Sequence, residues 1–242
     1  MEDLEITNIF DDINEFENTV LQDLISIIKE STSRIIQENY CTIEWLAWAG
    51  KSTLVNDLKT RFKERLVVVP ELNLSSEKEQ TTLNYLLEET KRTTRITSMP
   101  NRWLIIWDRS VISTMVVAAA KELTWMNTDY SNWENLKSWF SSKSNIETIT
   151  FPQVFIYPSI DVDTSISRQN TREKFRNNKS IFMNSDFCIN SKKIYDMLSL
   201  YLETIGVKSL CFDNSNVSED LAWDKIFNFL MNISHELDSN NS

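Results

Sequence analysis

Hydrophobic residues along this chain alternate between short unbroken runs and longer stretches with helical spacing. Five short segments predict strands, and the apolar runs among them, such as 66–69 and 104–106, are typical of parallel strands that are covered on both faces. Between them, apolar residues recur at intervals of three and four, the period of an amphipathic helix. Strands that alternate with helices predict an α/β domain with right-handed crossovers. The predicted strands are 41–44, 66–69, 104–106, 154–157 and 208–212.

Helical spacing fills the stretches between the predicted strands. Residues 1–38 open with an acidic stretch and continue with apolar residues three and four positions apart, which predicts an N-terminal helical extension. Because this helix precedes the first strand, we expect it to pack against the domain or against a partner. Residues 39–238 form one predicted domain, since no repeat or linker interrupts them, and residues 239–242 predict a frayed tail. The other predicted helices are 51–62, 76–98, 111–123, 166–178, 187–205 and 217–236.

The charge and the rare residue types exclude several classes of protein. The chain has 242 residues, and 35 acidic against 25 basic side chains give a formal net charge of −10. Such a protein lacks the basic face that nucleic acid polymers require, although a local pocket can still bind a nucleotide. Three widely spaced cysteines and a single histidine, His235, exclude a disulfide framework and a multi-histidine metal site. No apolar run reaches the ~18 residues of a membrane span, so we expect a soluble, cytoplasmic protein.

A phosphate-binding loop is the clearest chemical signal in the sequence. Between the first predicted strand and the helix that follows, residues 44–53 read EWLAWAGKST. The second half of the pattern G-x-x-x-x-G-K-[ST] is matched by Gly50, Lys51 and Ser52. Backbone N–H groups of such a loop cradle phosphate, its lysine reaches the β- and γ-phosphates, and its hydroxyl ligates Mg²⁺. The sequence therefore predicts that ATP and Mg²⁺ are bound by Trp45, Trp48, Ala49, Gly50, Lys51, Ser52 and Thr53.

Two tryptophans stand where this loop requires glycine. Trp45 occupies the position of the first glycine, and Trp48 occupies a second position that is often glycine in kinases with this loop. Glycine is used there because it adopts positive φ and lets the backbone approach the phosphates. If both indoles are native, ATP binding is weakened or lost, and the chain is a binding module with a defective phosphate loop.

The alternative is that the tryptophans are UGA codons that the host reads as glycine. UGA encodes tryptophan in some genetic codes and glycine in others. The chain has 2 glycines and 8 tryptophans, whereas an ordinary glycine content of about 7% would give roughly seventeen glycines. Glycine at positions 45 and 48 completes the loop as GLAGAGKST. Trp103 and Trp107 are further candidates for recoded glycine, although each can equally be a core aromatic.

Charged residues follow the second and third predicted strands. Glu71 comes directly after Pro70, which ends the second strand, and Asp108 and Arg109 follow the third. The carboxyl ends of parallel strands face the ligand crevice of an open α/β sheet. Glu71 can therefore accept a proton from a substrate hydroxyl, Asp108 can hold Mg²⁺ or orient the nucleophile, and Arg109 can bind a substrate phosphate. The alternatives are a solvated Glu71 and an Asp108 that caps the next helix and pairs with Arg109.

Arginines recur on two of the predicted helices. Arg168, Arg172 and Arg176 are four residues apart and share one helical face. Phosphoryl transfer needs cations over the transferred group, so a mobile helix that carries these arginines can act as a closing lid. A solvated basic face is the alternative, above all for Arg176. Arg92 and Arg95, on the helix before the third strand, can hold a phosphate of the acceptor.

In chain order, the loop, Glu71, the sequence Asp108-Arg109-Ser110 and the arginine-bearing segment resemble the thymidylate kinase-like branch of the P-loop kinases. That branch includes the deoxynucleoside kinases, and the resemblance spans residues 42–230. It implies a P-loop NTPase fold, in which a five-stranded parallel sheet is flanked by helices, here with an extra N-terminal helix. It also implies Mg-ATP as donor and a nucleoside monophosphate or deoxynucleoside as acceptor. A homodimer formed through a pair of helices is implied by the resemblance alone.

The resemblance also suggests roles for single residues. Lys51 and Ser52 would bind ATP and Mg²⁺, and Arg109 would contact the acceptor. Glu71 resembles the base of the deoxynucleoside kinases, except that proline precedes it here instead of following it. The expected catalytic residues are Lys51, Glu71, Asp108, Arg109, Arg168 and Arg172, with Glu71, Arg92 and Arg109 binding the acceptor and Ser52 and Asp108 the metal. A P-loop phosphotransferase for another small hydroxyl compound is the rival enzyme.

Overall fold

One parallel sheet forms the centre of the protein in the computed structural model. Its strands, within the described part of the chain, are β1 (Ile36–Ile43), β2 (Leu66–Val69), β3 (Leu104–Asp108), β4 (Phe151–Ser159) and β5 (Lys208–Asp213). They pair in the order β2-β3-β1-β4-β5, and every pair is parallel. The five-stranded parallel sheet predicted from the sequence is confirmed. The structure describes residues 15–32, 36–44, 51–63, 66–72, 81–97, 104–125, 133–142, 149–173 and 181–240.

Helices connect the strands and cover both faces of the sheet. Hydrophobic spacing predicts the helix Lys51–Phe62 with its observed bounds. It does not predict the helix Trp133–Ser141, because nine residues are shorter than the window over which the helical period can be recognised. A 3₁₀ turn (Ile181–Met183) precedes the seventh helix. The helices are α1 (Glu15–Thr32), α2 (Lys51–Phe62), α3 (Thr82–Thr97), α4 (Val111–Trp125), α5 (Trp133–Ser141), α6 (Val162–Glu173), α7 (Ser185–Thr204) and α8 (Glu219–Asn240).

Hydrophobic cores lie on opposite faces of the sheet. In β4, Phe151, Phe155 and Tyr157 pack on one side, and Val154 and Ile156 pack on the other. This alternation follows from the two-residue period of a strand. Helices α1, α4, α5 and α7 contribute to the first core, and α2 and α8 to the second. Coverage on both faces explains why β3 and the middle of β4 are continuous apolar runs in the sequence.

Helix α1 packs against the domain, one of the two placements that its amphipathic pattern allows. Its buried residues Val20, Leu21, Leu24 and Ile28 join the same core as α4, α5 and α7. Burying one such side chain contributes roughly 1.5–3 kcal/mol, so this apolar stripe holds the helix in place far more firmly than its partly exposed ion pairs do.

The first strand begins inside the range predicted for the N-terminal extension. Ile36 pairs with Phe151 of β4, and the register shifts between Gln37 and Cys41. The polar residues in this stretch hide the start of the strand from an argument based on apolar runs.

Three of the described residues have a left-handed backbone, and one of them is a glycine. Gly206 follows Ile205, the C-cap of α7, and has a φ of +84°. Its N–H and that of Val207 donate to carbonyl oxygens of the last helical turn. This arrangement is a common helix ending that favours glycine. Elsewhere in the described residues, Lys63 (φ 50°) and Arg109 (φ 62°) hold positive-φ positions without it.

Candidate active site

The carboxyl ends of β2, β3 and β1 lie side by side along one edge of the sheet. Asp108, the last residue of β3, pairs with Ile43 of β1, and Trp107 pairs with Val69 of β2. The residues that follow these three strands therefore meet at one crevice, the usual position of ligands in an open α/β sheet. Glu71 and the predicted phosphate loop both start from this edge.

The predicted phosphate loop connects β1 to α2. A strand end followed directly by a helix N-terminus is an arrangement in which backbone N–H groups bind phosphate. Trp45, Trp48, Ala49 and Gly50 lie outside the described residues. Residues 51–53 form the first turn of α2, but their side chains lie outside the described part of the chain. Their roles therefore stay predictions.

Glu44, which directly follows β1, is fully buried and accepts five hydrogen bonds. Its Oε1 accepts from Thr42 Oγ1 at 2.6 Å, from Ser110 N at 2.7 Å and from Ser110 Oγ at 2.6 Å. Its Oε2 accepts from Ser113 Oγ and from Tyr195 OH, the latter at 3.3 Å. A buried carboxylate is tolerated only where such donors replace water. The sequence pattern does not predict this role, because three of the four donor residues are distant in the chain.

Arg109 adopts a left-handed backbone conformation beside the crevice. Its φ of 62° costs about 1–2 kcal/mol for a residue with a Cβ atom. Neighbouring groups hold this conformation: the N–H of Arg109 donates to Ile43 O at 3.3 Å, and its carbonyl accepts from Arg92 Nη2 at 3.1 Å. Strained backbone of this kind clusters at functional sites.

The side chain of Arg109 forms an ion pair with Glu71. Arg109 Nε lies 3.1 Å from Glu71 Oε1, and the guanidinium lies 5.5 Å from the centroid of the Phe182 ring. Burial lowers the pKa of Arg109, but Glu71 above all, with Tyr195 and Glu44, raises the pKa above its ordinary value. Arg109 therefore stays protonated, and the ion pair places a carboxyl group and a cation side by side at the crevice.

Ser110 caps the N-terminus of α4, a role that one interpretation of the sequence gives to Asp108. The N–H of Ile112 in the first turn of α4 donates to Ser110 Oγ at 3.1 Å, as in an N-cap. Asp108 is half-buried at the end of β3. The guanidinium of Arg109 pairs with Glu71, and the charge of Asp108 also raises the pKa of Arg109.

Arg92 is buried and is held by other groups of the protein. Its Nη1 donates to Glu89 Oε1 at 2.8 Å, and its Nη2 donates to Pro70 O at 2.9 Å and to Arg109 O at 3.1 Å. Its guanidinium carbon lies 4.5 Å from the centroid of the Trp107 ring. These contacts tie α3 to the ends of β2 and β3, so Arg92 shapes the wall of the crevice.

Trp107 packs as a core aromatic. Its side chain is fully buried, and its ring centroid lies 4.6 Å from that of Tyr40, in a tilted arrangement. Aromatic pairs at this distance add to the free energy of burial. Trp103, the other candidate for recoded glycine, lies outside the described residues.

Glu89 is a buried carboxyl group on the wall of the crevice. One oxygen accepts from Arg92, and the other, Oε2, has no hydrogen-bond partner among the described residues. Burial raises the pKa of Glu89 to about 8, against the pull of Arg92. At neutral pH the Glu89 carboxyl group is therefore mainly protonated, and the folded protein binds that proton more tightly than the unfolded chain does.

The raised pKa of Glu89 predicts that stability falls as the pH rises. Its contribution is fully present below about 4.5, the ordinary pKa, and is lost as the pH rises through about 8. The slope in this window is at most about 1.4 kcal/mol per pH unit. We expect urea unfolding to show this decline in the wild type and a flatter profile in Glu89→Gln. Glu88→Gln, its neighbour on α3, should follow the wild type; parallel wild-type and Glu89→Gln profiles would contradict the prediction.

A cavity of about 220 Å³ opens between α3, α4 and the ends of β2 and β3. Glu71 and Arg109 line it at the strand ends, and Lys121 lines it from α4. Burial lowers the pKa of Lys121, whose ammonium has no ion-pair partner among the described residues. The charged walls favour a polar ligand with hydroxyl or anionic groups. Its other lining residues are Leu72, Thr82, Tyr85, Glu89, Arg92, Ser110, Ser113, Thr114, Val117, Ile181 and Phe182.

The predicted lid arginines are only partly described. Arg168 is half-buried on α6 and is not among the described residues that line the cavity. The side chain of Arg172 and the whole of Arg176 lie outside the described residues. The segment after α6 instead contributes Ile181 and Phe182 to the cavity wall, a contribution that no feature of the sequence predicts.

The predicted magnesium site consists of Ser52 and Asp108, and the structure describes the side chain of Asp108 but not that of Ser52. Among the described residues, no group of three or more His, Cys, Asp or Glu side chains could hold a metal ion. Carboxylate oxygen is a ligand that Mg²⁺ prefers, and the role of Asp108 as a magnesium ligand stays a prediction. No described helix has the length and apolar character needed to cross a bilayer.

Comparisons with known proteins identify the fold. No family model matches the chain, and no curated protein is detectably similar in sequence. Deoxyadenosine kinase from M. mycoides with bound dATP is 15% identical, with a TM-score of 0.58 over 79% of this chain and 98% of that one. Thymidylate kinase from Candida albicans is 13% identical, with a TM-score of 0.56 over 84% of this chain and 93% of that one. The chain therefore has the P-loop kinase fold that these nucleoside and nucleotide kinases share.

Proposed function

We propose that the protein transfers the γ-phosphoryl group of Mg-ATP to a nucleoside monophosphate of the thymidylate type or to a deoxynucleoside. The Glu71–Arg109 ion pair carries this proposal. It lies in the wall of a cavity at the same sheet edge from which the predicted phosphate loop starts. Donor and acceptor bound at these two places would meet at the strand ends, as phosphoryl transfer requires.

Each predicted residue has a defined task in this proposal. Lys51 neutralises charge on the β- and γ-phosphates, and Ser52 and Asp108 would hold Mg²⁺, which supplies further charge neutralisation when bound. With a deoxynucleoside as acceptor, Glu71 accepts the proton of the attacking hydroxyl, and with either acceptor Arg109 orients the substrate. Arg168 and Arg172 would close over the transferred group from α6. Catalysis then consists of positioning and electrostatic stabilisation.

Glu71→Gln tests the proposed base. A glutamine keeps the size of the side chain but cannot accept the proton, so we expect kcat to fall about 10²–10⁴-fold. The KM for Mg-ATP should stay unchanged, because the substitution lies on the acceptor side. Steady-state kinetics with each acceptor measures both quantities.

Glu88→Gln is the matched control for this substitution. Glu88 lies on α3 in an ion pair with Lys91 and does not line the cavity, so its loss should leave kcat within about twofold of the wild type, as for most surface substitutions. A Glu71→Gln enzyme with wild-type kcat would show that Glu71 is not the base.

A second candidate function follows from the tryptophans at positions 45 and 48. With native indoles in the loop, the chain would be a non-catalytic P-loop protein that acts as a binding module. A ligand that binds only the folded state must raise its melting temperature. Absence of any nucleotide-dependent rise would therefore favour the binding module over the kinase.

A further inference from the structure

Glu44 is a buried carboxylate whose oxygens are already saturated. A carboxylate offers about four lone-pair sites, and five donors converge on the two oxygens of Glu44. Its exposed fraction is zero, and it is absent from the described lining of the cavity. It therefore has no free site for a ligand, and any influence on catalysis must pass through its partners.

The partners of the Glu44 side chain come from several elements around the crevice. Ser110 and Ser113 belong to the start of α4, and Tyr195 belongs to α7. The backbone of Glu44 is held separately, because its N–H donates to Ile156 O of β4 at 2.8 Å. Loss of the Glu44 side chain would therefore leave the end of β1 in place. The turn between β3 and α4 would lose its hydrogen bonds to the carboxylate.

That turn sets the position of Arg109. The peptide N–H that donates to Glu44 Oε1 belongs to Ser110 and follows Arg109 directly. Fixing this peptide unit fixes the backbone of Arg109 in its left-handed conformation, from which the guanidinium reaches Glu71. Without the carboxylate, the turn keeps only the bonds that Arg109 makes to Ile43 O and to Arg92, at 3.3 and 3.1 Å. The shorter bond at Ser110 N, at 2.7 Å, is then lost, so the turn loosens and the guanidinium is no longer directed to Glu71.

We infer that Glu44 is a positioning residue of the acceptor site, which holds the left-handed turn at Arg109 and so directs the Arg109 guanidinium to Glu71. The inference rests on the proposed function for its catalytic consequence. It assigns the residue directly before the phosphate loop to the acceptor side of the reaction.

Kinetics of Glu44→Ala and Glu44→Gln test the catalytic consequence. Misplacement of a positioning group by about 1 Å can cost 10²-fold, so we expect the acceptor KM to rise at least tenfold in Glu44→Ala. The KM for Mg-ATP should change less than about twofold, since the backbone anchor to Ile156 remains. Glu44→Gln keeps an oxygen that can accept from the Ser110 N–H, so its acceptor KM should lie between those of the wild type and of Glu44→Ala. Glu122→Gln, at a buried glutamate outside this network, should leave both KM values unchanged.

Hydrogen exchange of the Ser110 amide separates this inference from the proposed function. In Glu44→Ala, or in Glu44→Gln if the alanine variant does not fold, we expect this amide to exchange faster while amides of β4 keep wild-type rates. Unchanged exchange at Ser110, or equal rises in both KM values, would overturn the inference. A wild-type enzyme without kinase activity but with faster exchange in the variant would overturn only the proposed function.

Discussion

Lys51→Ala is expected to abolish measurable phosphoryl transfer and to leave the fold intact. In the proposed mechanism, Lys51 neutralises developing charge on the phosphates, and removal of one such group lowers kcat about 10²–10³-fold. The position begins α2, and alanine has the highest helix propensity, so the helix should form as before. The measurement is kcat for the acceptor at saturating Mg-ATP, together with the melting temperature of the variant.

Lys59→Ala is the control for this substitution. Lys59 is an exposed lysine on the same helix, so its loss removes the same charge from α2 away from the loop. We expect its kcat to match that of the wild type. Undiminished activity in Lys51→Ala would remove the phosphate loop from the proposed mechanism.

Glycine at positions 45 and 48 is expected to tighten the binding of Mg-ATP by about 10–100-fold, or roughly 1.4–2.8 kcal/mol. Glycine permits positive φ and lets backbone N–H groups approach the phosphates, which two indoles oppose. The measurement is the Mg-ATP-dependent rise in melting temperature of Trp45→Gly/Trp48→Gly against the tryptophan-containing chain. UGA codons at both positions in the coding DNA would make glycine the native residue.

Trp107→Gly provides the contrasting substitution. Trp107 is fully buried between Arg92 and Tyr40, so truncation should cost about 3–5 kcal/mol of unfolding free energy. It should not tighten nucleotide binding. Equal nucleotide affinity in the Trp45→Gly/Trp48→Gly chain and in the tryptophan-containing chain would show that the indoles do not impair the loop.

Much of the fold could be predicted from the sequence. Strands β2, β3 and the middle of β4 are apolar runs because both faces of the sheet are covered, and Pro70 marks the end of β2. Local pattern cannot give the start of β1, where polar residues pair with β4 from Ile36 onward. The strand order is likewise non-local, because it depends on which runs pair across the sheet. The order β2-β3-β1-β4-β5 is therefore known from the structure alone.

The candidate site could be predicted only where its residues follow strands. Glu71 and Arg109 were found because strand ends meet at the crevice, and the structure joins them in an ion pair. The role of Glu44 is not predictable from the sequence. Its side chain is bonded by Ser110, Ser113 and Tyr195, which are distant in the chain and meet only in the folded protein. The Glu89–Arg92 pair leaves a weaker signal, since residues three apart on a helix face each other.

Transfer of a radiolabelled γ-phosphate from ATP to a panel of acceptors tests the central claim most directly. The panel contains deoxynucleosides, thymidylate-type monophosphates and small alcohols that are not nucleosides, each with the wild-type chain and with Trp45→Gly/Trp48→Gly. We predict Mg²⁺-dependent label on a deoxynucleoside or a nucleoside monophosphate and loss of that label in Lys51→Ala. Label on a non-nucleoside alcohol alone would contradict the proposed acceptor, and no label on any acceptor from either chain would contradict the kinase itself.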